Sequence, residues 1–212
     1  MIETLNNWDT NLFYLINGHH CTVMDWVMWV LSAKWCWLIV IVAAFCMSTL
    51  RREPKHWWIA LAGIGLCFLL ADQGSVQLFK NTVCRLRPCH ALENVHLFRE
   101  GCGGLYGFIS SHAANAFAIA MFFALRYWPR KYPTVSTSAN NSPISGNHQR
   151  SKIVLPLCML AWAFLTSYSR AYLGKHYPGD LLCGAIFGIV VGVVVQYFIS
   201  WIEKKLHFNE TK

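Results

Sequence analysis

Leu181 to Ile202 reads LLCGAIFGIVVGVVVQYFISWI, twenty-two residues without a charged side chain. A helix crossing the hydrocarbon core of a bilayer needs about 20 mostly apolar residues, so this stretch decides the class of the molecule. Working back toward the N-terminus, the same reading gives spans over Ile153 to Tyr168, Ala113 to Trp128 and His56 to Phe79. Met24 to Leu50 needs more argument, because Lys34 interrupts it. A lysine at mid-bilayer costs about 2.5–3.5 kcal/mol on insertion scales. Lys34 is therefore expected near an interface, with the span running from Trp35 to Leu50 and with Trp26 and Trp29 close to the surface. Within Leu5 to Ile16, Leu5, Trp8, Leu12 and Leu15 share one helical stripe, the pattern of an amphipathic helix lying in the interface. The expected fold is all-α: a polytopic membrane bundle of about five transmembrane helices plus the N-terminal interfacial helix, in one domain over residues 1–212.

Composition agrees. Of 212 residues 55% are hydrophobic and 13% charged, with a mean hydropathy of +0.35, whereas a soluble domain carries about 25% charge. A disordered, collagenous or small disulfide-stapled chain is excluded, and no cleavable signal peptide is visible at the start. The net charge is +8, from 18 Lys+Arg against 10 Asp+Glu. Alternating spans place Arg51, Arg52, Lys55, Arg126, Arg130, Lys131, Arg150, Lys152, Lys204, Lys205 and Lys212 on one side, which the positive-inside rule makes cytoplasmic. A flexible loop, about residues 129–152, is expected on that side. The N-terminus, with no Lys or Arg before Lys34, falls outside. Six cations remain on the outer side against the trend: Lys80, Arg85, Arg87, Arg99, Arg170 and Lys175. They form no stripe interleaved with aromatics, so nucleic acid is not an expected partner; the bilayer and an anionic substrate are.

Three stretches converge on that outer side. KNTVCRLRP, Lys80 to Pro88, ends the second span; GFISSHA, Gly107 to Ala113, opens the third; SYSRAYLGKHYPGD, Ser167 to Asp180, joins the fourth to the fifth. Lys80 offers a point charge and Arg87 a planar fork, two ways of gripping phosphate oxygens. Ser110, Ser111 and His112 open a helix whose N-terminal amides attract an anion, and Ser110 suits the cap. Arg170 adds a second guanidinium. His176 with Asp180 four residues on makes a base and its orienter, and Pro178 suits the first turn of the fifth span.

The ordered set K-x6-R-P, S-x-H and S-R-x5-H-x3-D resembles the type 2 phosphatidic acid phosphatase family of membrane lipid phosphatases, which shares its site with vanadium haloperoxidases. The resemblance covers Lys80 to Asp180. It implies that His176 attacks phosphorus to give a phosphohistidine, that Asp180 orients it, and that His112 protonates the leaving oxygen. Lys80, Arg87, Ser110 and Arg170, with the residue at position 111, would hold the phosphoryl oxygens. It implies no metal and no cofactor. The family commonly has glycine where this chain has Ser111, which either crowds the site or contributes a hydroxyl. Size and span order look similar to bacterial members acting on undecaprenyl diphosphate, with lipid A phosphatase and phosphatidylglycerophosphate phosphatase as alternatives. A lipid phosphotransferase using the same intermediate, and an inactive anionic-lipid-binding or transport protein, are the rivals of other classes. The implied setting is the cell envelope, as an integral protein of the bacterial inner membrane with its site facing outward.

Arg85, Arg99 and Lys175 are placed outside the core site. Asp72, Gln73 and Gln77, polar residues at membrane depth, are expected to support it from below or to bond between helices. Cys84, Cys89 and Cys102 lie on the oxidising side, where Cys89–Cys102 or Cys84–Cys102 would brace the loop. His90 and His96 complete no recognised zinc spacing. Gly101, Gly103, Gly104 and Gly107 suggest a mobile approach to Ser110, or only a tight loop.

Overall fold

The computed structural model describes residues 2–51, 57–99, 101–128 and 147–210. The chain opens with α1 (Ile2–Asn17) and α2 (Thr22–Ser32), and continues through α3 (Lys34–Arg51) and α4 (Trp57–Gly74). A π-helical turn, Ser75–Lys80, carries α4 into the short α5 (Asn81–Val83). After the brief α6 (Pro88–Ala91) come the long helices α7 (Ser111–Tyr127), α8 (Asn147–Tyr172) and α9 (Pro178–Glu210). Among the described residues the sole strand-like pairing is an isolated bridge, Leu86 to Tyr106.

The helical bundle read from the sequence is present. Among the described residues three stretches are long and apolar enough to cross a membrane alone, Trp57–Val83, Ile153–Tyr172 and Pro178–Leu206. α2 and α3 form a pair bent by 59° at the break before Lys34, so the helix that starts at Lys34 is distinct from the segment carrying Trp26 and Trp29, as expected for a lysine near an interface. α7 is short, and nearly all of it is buried: Ala113, Ala114, Ala116, Ala118, Ile119, Ala120, Phe122 and Phe123 are all fully inaccessible. It is the core of the bundle, packed chiefly against α9 and α8 and then α4.

α9 shows how the sequence achieves this. Leu182, Ile186, Val190, Val194, Tyr197 and Trp201 face outward, an exposed apolar stripe that suits lipid rather than water. On the opposite side, a Cβ at Gly188 would stand 2.2 Å from the Ala114 carbonyl oxygen, and one at Gly192 would stand 2.5 Å from that of Ala118. Glycines spaced by four, facing alanines, let two backbones meet where lipid supplies no hydrophobic drive for association.

α1 matches its expectation. Leu5, Trp8, Leu12 and Leu15 are exposed, while Phe13 on the other face is buried against Tyr177. At the end remote from the phosphate-binding motifs, Arg126 forks onto Glu203 of α9, its Nη2 2.5 Å from Oε1 and its Nη1 3.2 Å from Oε2. Of the loop expected over residues 129–152, 129–146 lie outside the described residues. Residues 147–152 are helical, the first turns of α8, so the loop ends earlier than its composition suggested.

Candidate active site

Four chain segments meet at one end of the bundle, as alternation requires: the end of the α4 extension, the start of α7, the end of α8 and the start of α9. The π-helical turn ends on Lys80 and turns Ser75 inward. Lys80 Nζ donates to Ser111 Oγ at 2.7 Å, Ser111 Oγ lies 2.6 Å from Ser75 Oγ, and Ser75 Oγ donates to the Asp72 carbonyl at 2.8 Å. Each hydroxyl has one proton, so the chain runs from Lys80 through Ser111 and Ser75 to Asp72. The Ser111 hydroxyl thus holds the Lys80 ammonium in place. Ser110 caps α7, accepting from the Ala113 amide at 3.4 Å. Its own amide donates to the Asp180 carbonyl at 3.1 Å.

Between Lys80 and α7 the chain reverses at Cys84, which takes left-handed backbone angles. It then runs extended through Arg85, Leu86 and Arg87. Arg87 N donates to the Leu105 carbonyl at 3.1 Å and Gly107 N to that of Arg85 at 2.8 Å. Beyond this pairing a Cys89–Cys102 disulfide closes the loop, and Cys84 is free. Gly107 is buried, and a Cβ on it would sit 3.0 Å from Asp180 Oδ2 and 3.3 Å from Arg87 Cγ. It makes room for a close approach and does not loosen a lid, whereas Gly101, Gly103 and Gly104 have open space around them.

His176 follows α8 and precedes α9, with 1% exposure. Its Nδ1 lies 3.6 Å from Oδ2 of Asp180, beyond hydrogen-bond length, and makes no hydrogen bond among the described residues. Its Nε2 is 3.3 Å from Nη1 of Arg87. A guanidinium only donates, so Nε2 faces Arg87 with its lone pair and the ring proton sits on Nδ1, toward Asp180. Burial, then the charges of Arg87, Arg170 and Lys80, hold this imidazole well below the usual histidine pKa, against an opposing contribution from the Gly107 backbone. At neutral pH it is an uncharged ring whose Nε2 lone pair is turned to Arg87, among three cations.

Asp180 is fully buried and held on both oxygens. Oδ1 accepts from Arg85 Nη1 at 2.9 Å, and Oδ2 accepts from the Tyr177 amide at 3.1 Å. Arg85 also reaches Asp9 Oδ2 of α1 at 2.8 Å and lies 4.0 Å over the Tyr177 ring. Asp9 in turn accepts from the Gly179 amide at 2.7 Å, at the first turn of α9. Arg170, buried, donates to Ser32 Oγ of α2. His112, in the first turn of α7, meets the Trp37 ring edge-on at 5.6 Å. Arg170, His176, Lys80 and Arg87 are its electrostatic neighbours.

The structure thus brings together Lys80, Arg87, Ser110, Ser111, His112, Arg170, His176 and Asp180. Sequence reasoning missed Arg85, Asp9, Ser32 and Ser75. For Arg85 a signal existed: in an extended stretch residues two apart share a side, so R-L-R puts Arg85 with Arg87 and turns Leu86 away. Arg99 is outside the site as expected, its guanidinium 4.6 Å from the Trp26 ring. Lys175 is buried beside His176 in sequence. Asp72 faces inward and accepts from Asn115 Nδ2 at 3.3 Å. Gln73 and Gln77 do not support the site: both are exposed and line an open, apolar crevice of about 430 Å³ between α4 and α9, with Leu69, Leu78, Phe187 and Val191.

Comparison with known proteins converges on the same region. The model of the PAP2 superfamily matches residues 56–204. A relative from Bacteroides thetaiotaomicron named lipid A 4'-phosphatase is 34% identical over 208 residues, covering 94% of this chain and 80% of its own. One of the same name from Porphyromonas gingivalis is 28% identical over 199 residues, covering 90% and 72%. Among solved structures, a transmembrane PAP2-type phosphatidylglycerolphosphate phosphatase from Bacillus subtilis superposes with a TM-score of 0.65 at 20% identity. That match covers 94% of this chain and 88% of the other, a likeness of fold.

Proposed function

The chain belongs to the PAP2 superfamily and is a membrane lipid phosphatase, and on that premise we propose that it hydrolyses a phosphate monoester of a lipid A-type glycolipid through a phosphohistidine on His176. The observation that carries the mechanism is the Nε2 lone pair of His176, buried beside Arg87 with Asp180 behind the ring. Nε2 attacks phosphorus while the bond from phosphorus to the lipid oxygen breaks, and His112, entering the step as an imidazolium paired with the phosphate dianion, gives that oxygen its proton. Lys80, Arg87, Arg170 and the amides at the start of α7 take up the charge that grows on the phosphoryl oxygens, where preorganised donors act with little reorganisation. Asp180 keeps the ring proton on Nδ1 and offsets the positive charge the ring acquires. Water then attacks the phosphohistidine, its proton passes to His112, and inorganic phosphate leaves with His176 restored.

Two supports favour lipid A over undecaprenyl diphosphate, the substrate suggested by size and span order. Both curated relatives described above carry the lipid A name over most of their length. The apolar crevice between α4 and α9 includes Leu78, two residues before Lys80, and we assign it to an acyl chain of the lipid. We place the protein in the bacterial inner membrane as a single domain, with the site outward, because Arg51, Arg126, Lys204 and Lys205 lie at the opposite end of the bundle. The test is phosphate release by detergent-purified protein from lipid A 4'-phosphate, undecaprenyl diphosphate and phosphatidylglycerophosphate. Preference for lipid A by about tenfold or more in kcat/KM is expected; preference for either of the others overturns the substrate assignment.

A further inference from the structure

We propose that the end of the bundle bearing the phosphate site also carries a separate binding site for a zinc-class divalent ion, held by His20, Asp25 and His96. These residues come from the turn after α1, from the first turn of α2 and from the loop after α6, so no sequence spacing announces them. One ligand atom of each lies within 4.8 Å of the others. The His20 and His96 rings stack in parallel, 3.7 Å between centroids and 3° between planes. His96 Nε2 is 2.9 Å from Asp25 Oδ1.

The arrangement is pre-positioned by groups that do not themselves ligate. Asp25 is 6% exposed, and the Tyr172 hydroxyl donates to its Oδ1 at 2.9 Å, the outer hydrogen bond that orients a ligating carboxylate. Asn17, 1% exposed, clamps the His96 backbone on both sides. Its Oδ1 accepts from His96 N at 2.9 Å, and its Nδ2 donates to His96 O at 2.9 Å and to Tyr172 O at 2.7 Å. His20 is exposed and leaves a side open for water.

Donor chemistry selects the ion. Two imidazoles and one carboxylate make a borderline nitrogen and oxygen set that suits zinc and its neighbours, whereas calcium and magnesium take oxygen ligands. Zinc-to-ligand bonds of about 2.0–2.2 Å at tetrahedral angles put ligand atoms roughly 3.3 Å apart. The observed 2.9 Å between His96 and Asp25 lies near that separation, and His20 closes the site by turning its ring out of the stack so that both imidazole planes meet at the ion. Binding parts His96 Nε2 from Asp25, so that nitrogen and carboxylate each face the ion. A second cluster among the described residues, Cys89, His90 and Cys102, has its sulfurs in the disulfide.

A bound ion would act by bracing. The position of a Cβ on Gly174 is filled by the His96 carbonyl, 2.7 Å away, and Gly174 stands two residues before His176. The ion therefore fastens α1, α2 and the outer loop to the segment that presents His176, without touching the phosphate.

The experiment is a Zn(II) titration of tag-free, chelator-stripped full-length protein in detergent, against a chromophoric competitor, for wild type and His20→Ala, with Co(II) as a spectroscopic probe. His20 is exposed, so the variant folds. One tight ion per wild-type chain, binding weakened at least ~10-fold in His20→Ala, and a Co(II) spectrum without thiolate charge transfer support the site. Absence of tight binding to wild type, equal binding by the variant, or a thiolate spectrum overturns it. Tyr172→Phe gives a second reading: weaker binding is expected, and unchanged affinity contradicts the orienting role assigned to its hydroxyl.

Discussion

The guanidinium of Arg85 donates to Oδ1 of Asp180 at 2.9 Å, and that carboxylate presents its other oxygen to the ring of His176. With Nη2 on Asp9, Arg85 fixes the carboxylate from α1, an element the phosphate-binding motifs do not include. Removing one partner of a buried charge pair leaves the other uncompensated. Arg85→Ala is expected to lower kcat by about 10- to 100-fold, equivalent to roughly 1.4–2.8 kcal/mol, with KM within about threefold of wild type. Steady-state kinetics on the preferred lipid check this. A change confined to KM would instead make Arg85 a headgroup contact.

The pH profile follows from the charges around His176. Its protonated form cannot attack phosphorus. Burial and the cations Arg87, Arg170 and Lys80 resist protonation, so the ring keeps its lone pair well into mildly acidic conditions. Taking away Arg87 lets a proton bind at higher pH. The acid limb of kcat/KM, which reports the free enzyme, should therefore move to higher pH in Arg87→Gln than in wild type. Substrate titration is common to both profiles and cancels. An unmoved limb, or one displaced to lower pH, contradicts this electrostatic account.

Packing of α7 on α9 makes a contrast between two glycines. A Cβ at Gly188 meets the Ala114 carbonyl at 2.2 Å, whereas one at Gly65 meets nothing within 4 Å. Gly188→Ala is expected to destabilise by about 1–3 kcal/mol, as overpacking does. Gly65→Ala should leave stability unchanged or raise it, since alanine is the better helix former. Thermal melts in detergent distinguish the two, and equal effects would mean that α7 and α9 do not approach as described.

Much of this was legible in the sequence, because bilayer thickness fixes span length and alternation then fixes which motifs share a side. His176, Asp180, Lys80, Arg87 and Ser110 follow from that reasoning together with the family resemblance. What stayed hidden depends on contacts between segments far apart in the chain. Arg85 looked like any outer cation until Asp9, on a helix read only for its lipid stripe, was found on its other side. The hydroxyl at Ser111 was ambiguous because its partner Ser75 depends on a π-helical turn that propensity does not reveal. Gly107 read as a source of mobility or as part of a tight loop, and its need for space appears only once Asp180 and Arg87 close in on it. His96 was discounted as a ligand on spacing alone, while its neighbours His20 and Asp25 are more than seventy residues away.

The central claim is that Nε2 of His176 is the nucleophile. The direct measurement is a rapid alkaline quench of the enzyme during turnover of its preferred lipid carrying labelled phosphate, followed by mapping of the label on the protein. The account predicts an alkali-stable, acid-labile phosphoryl group on His176. It also predicts no label in a folded His176→Ala variant whose kcat/KM falls by at least ~10³-fold. Label on another residue, or a His176→Ala enzyme that still turns over within about tenfold of wild type, would contradict it.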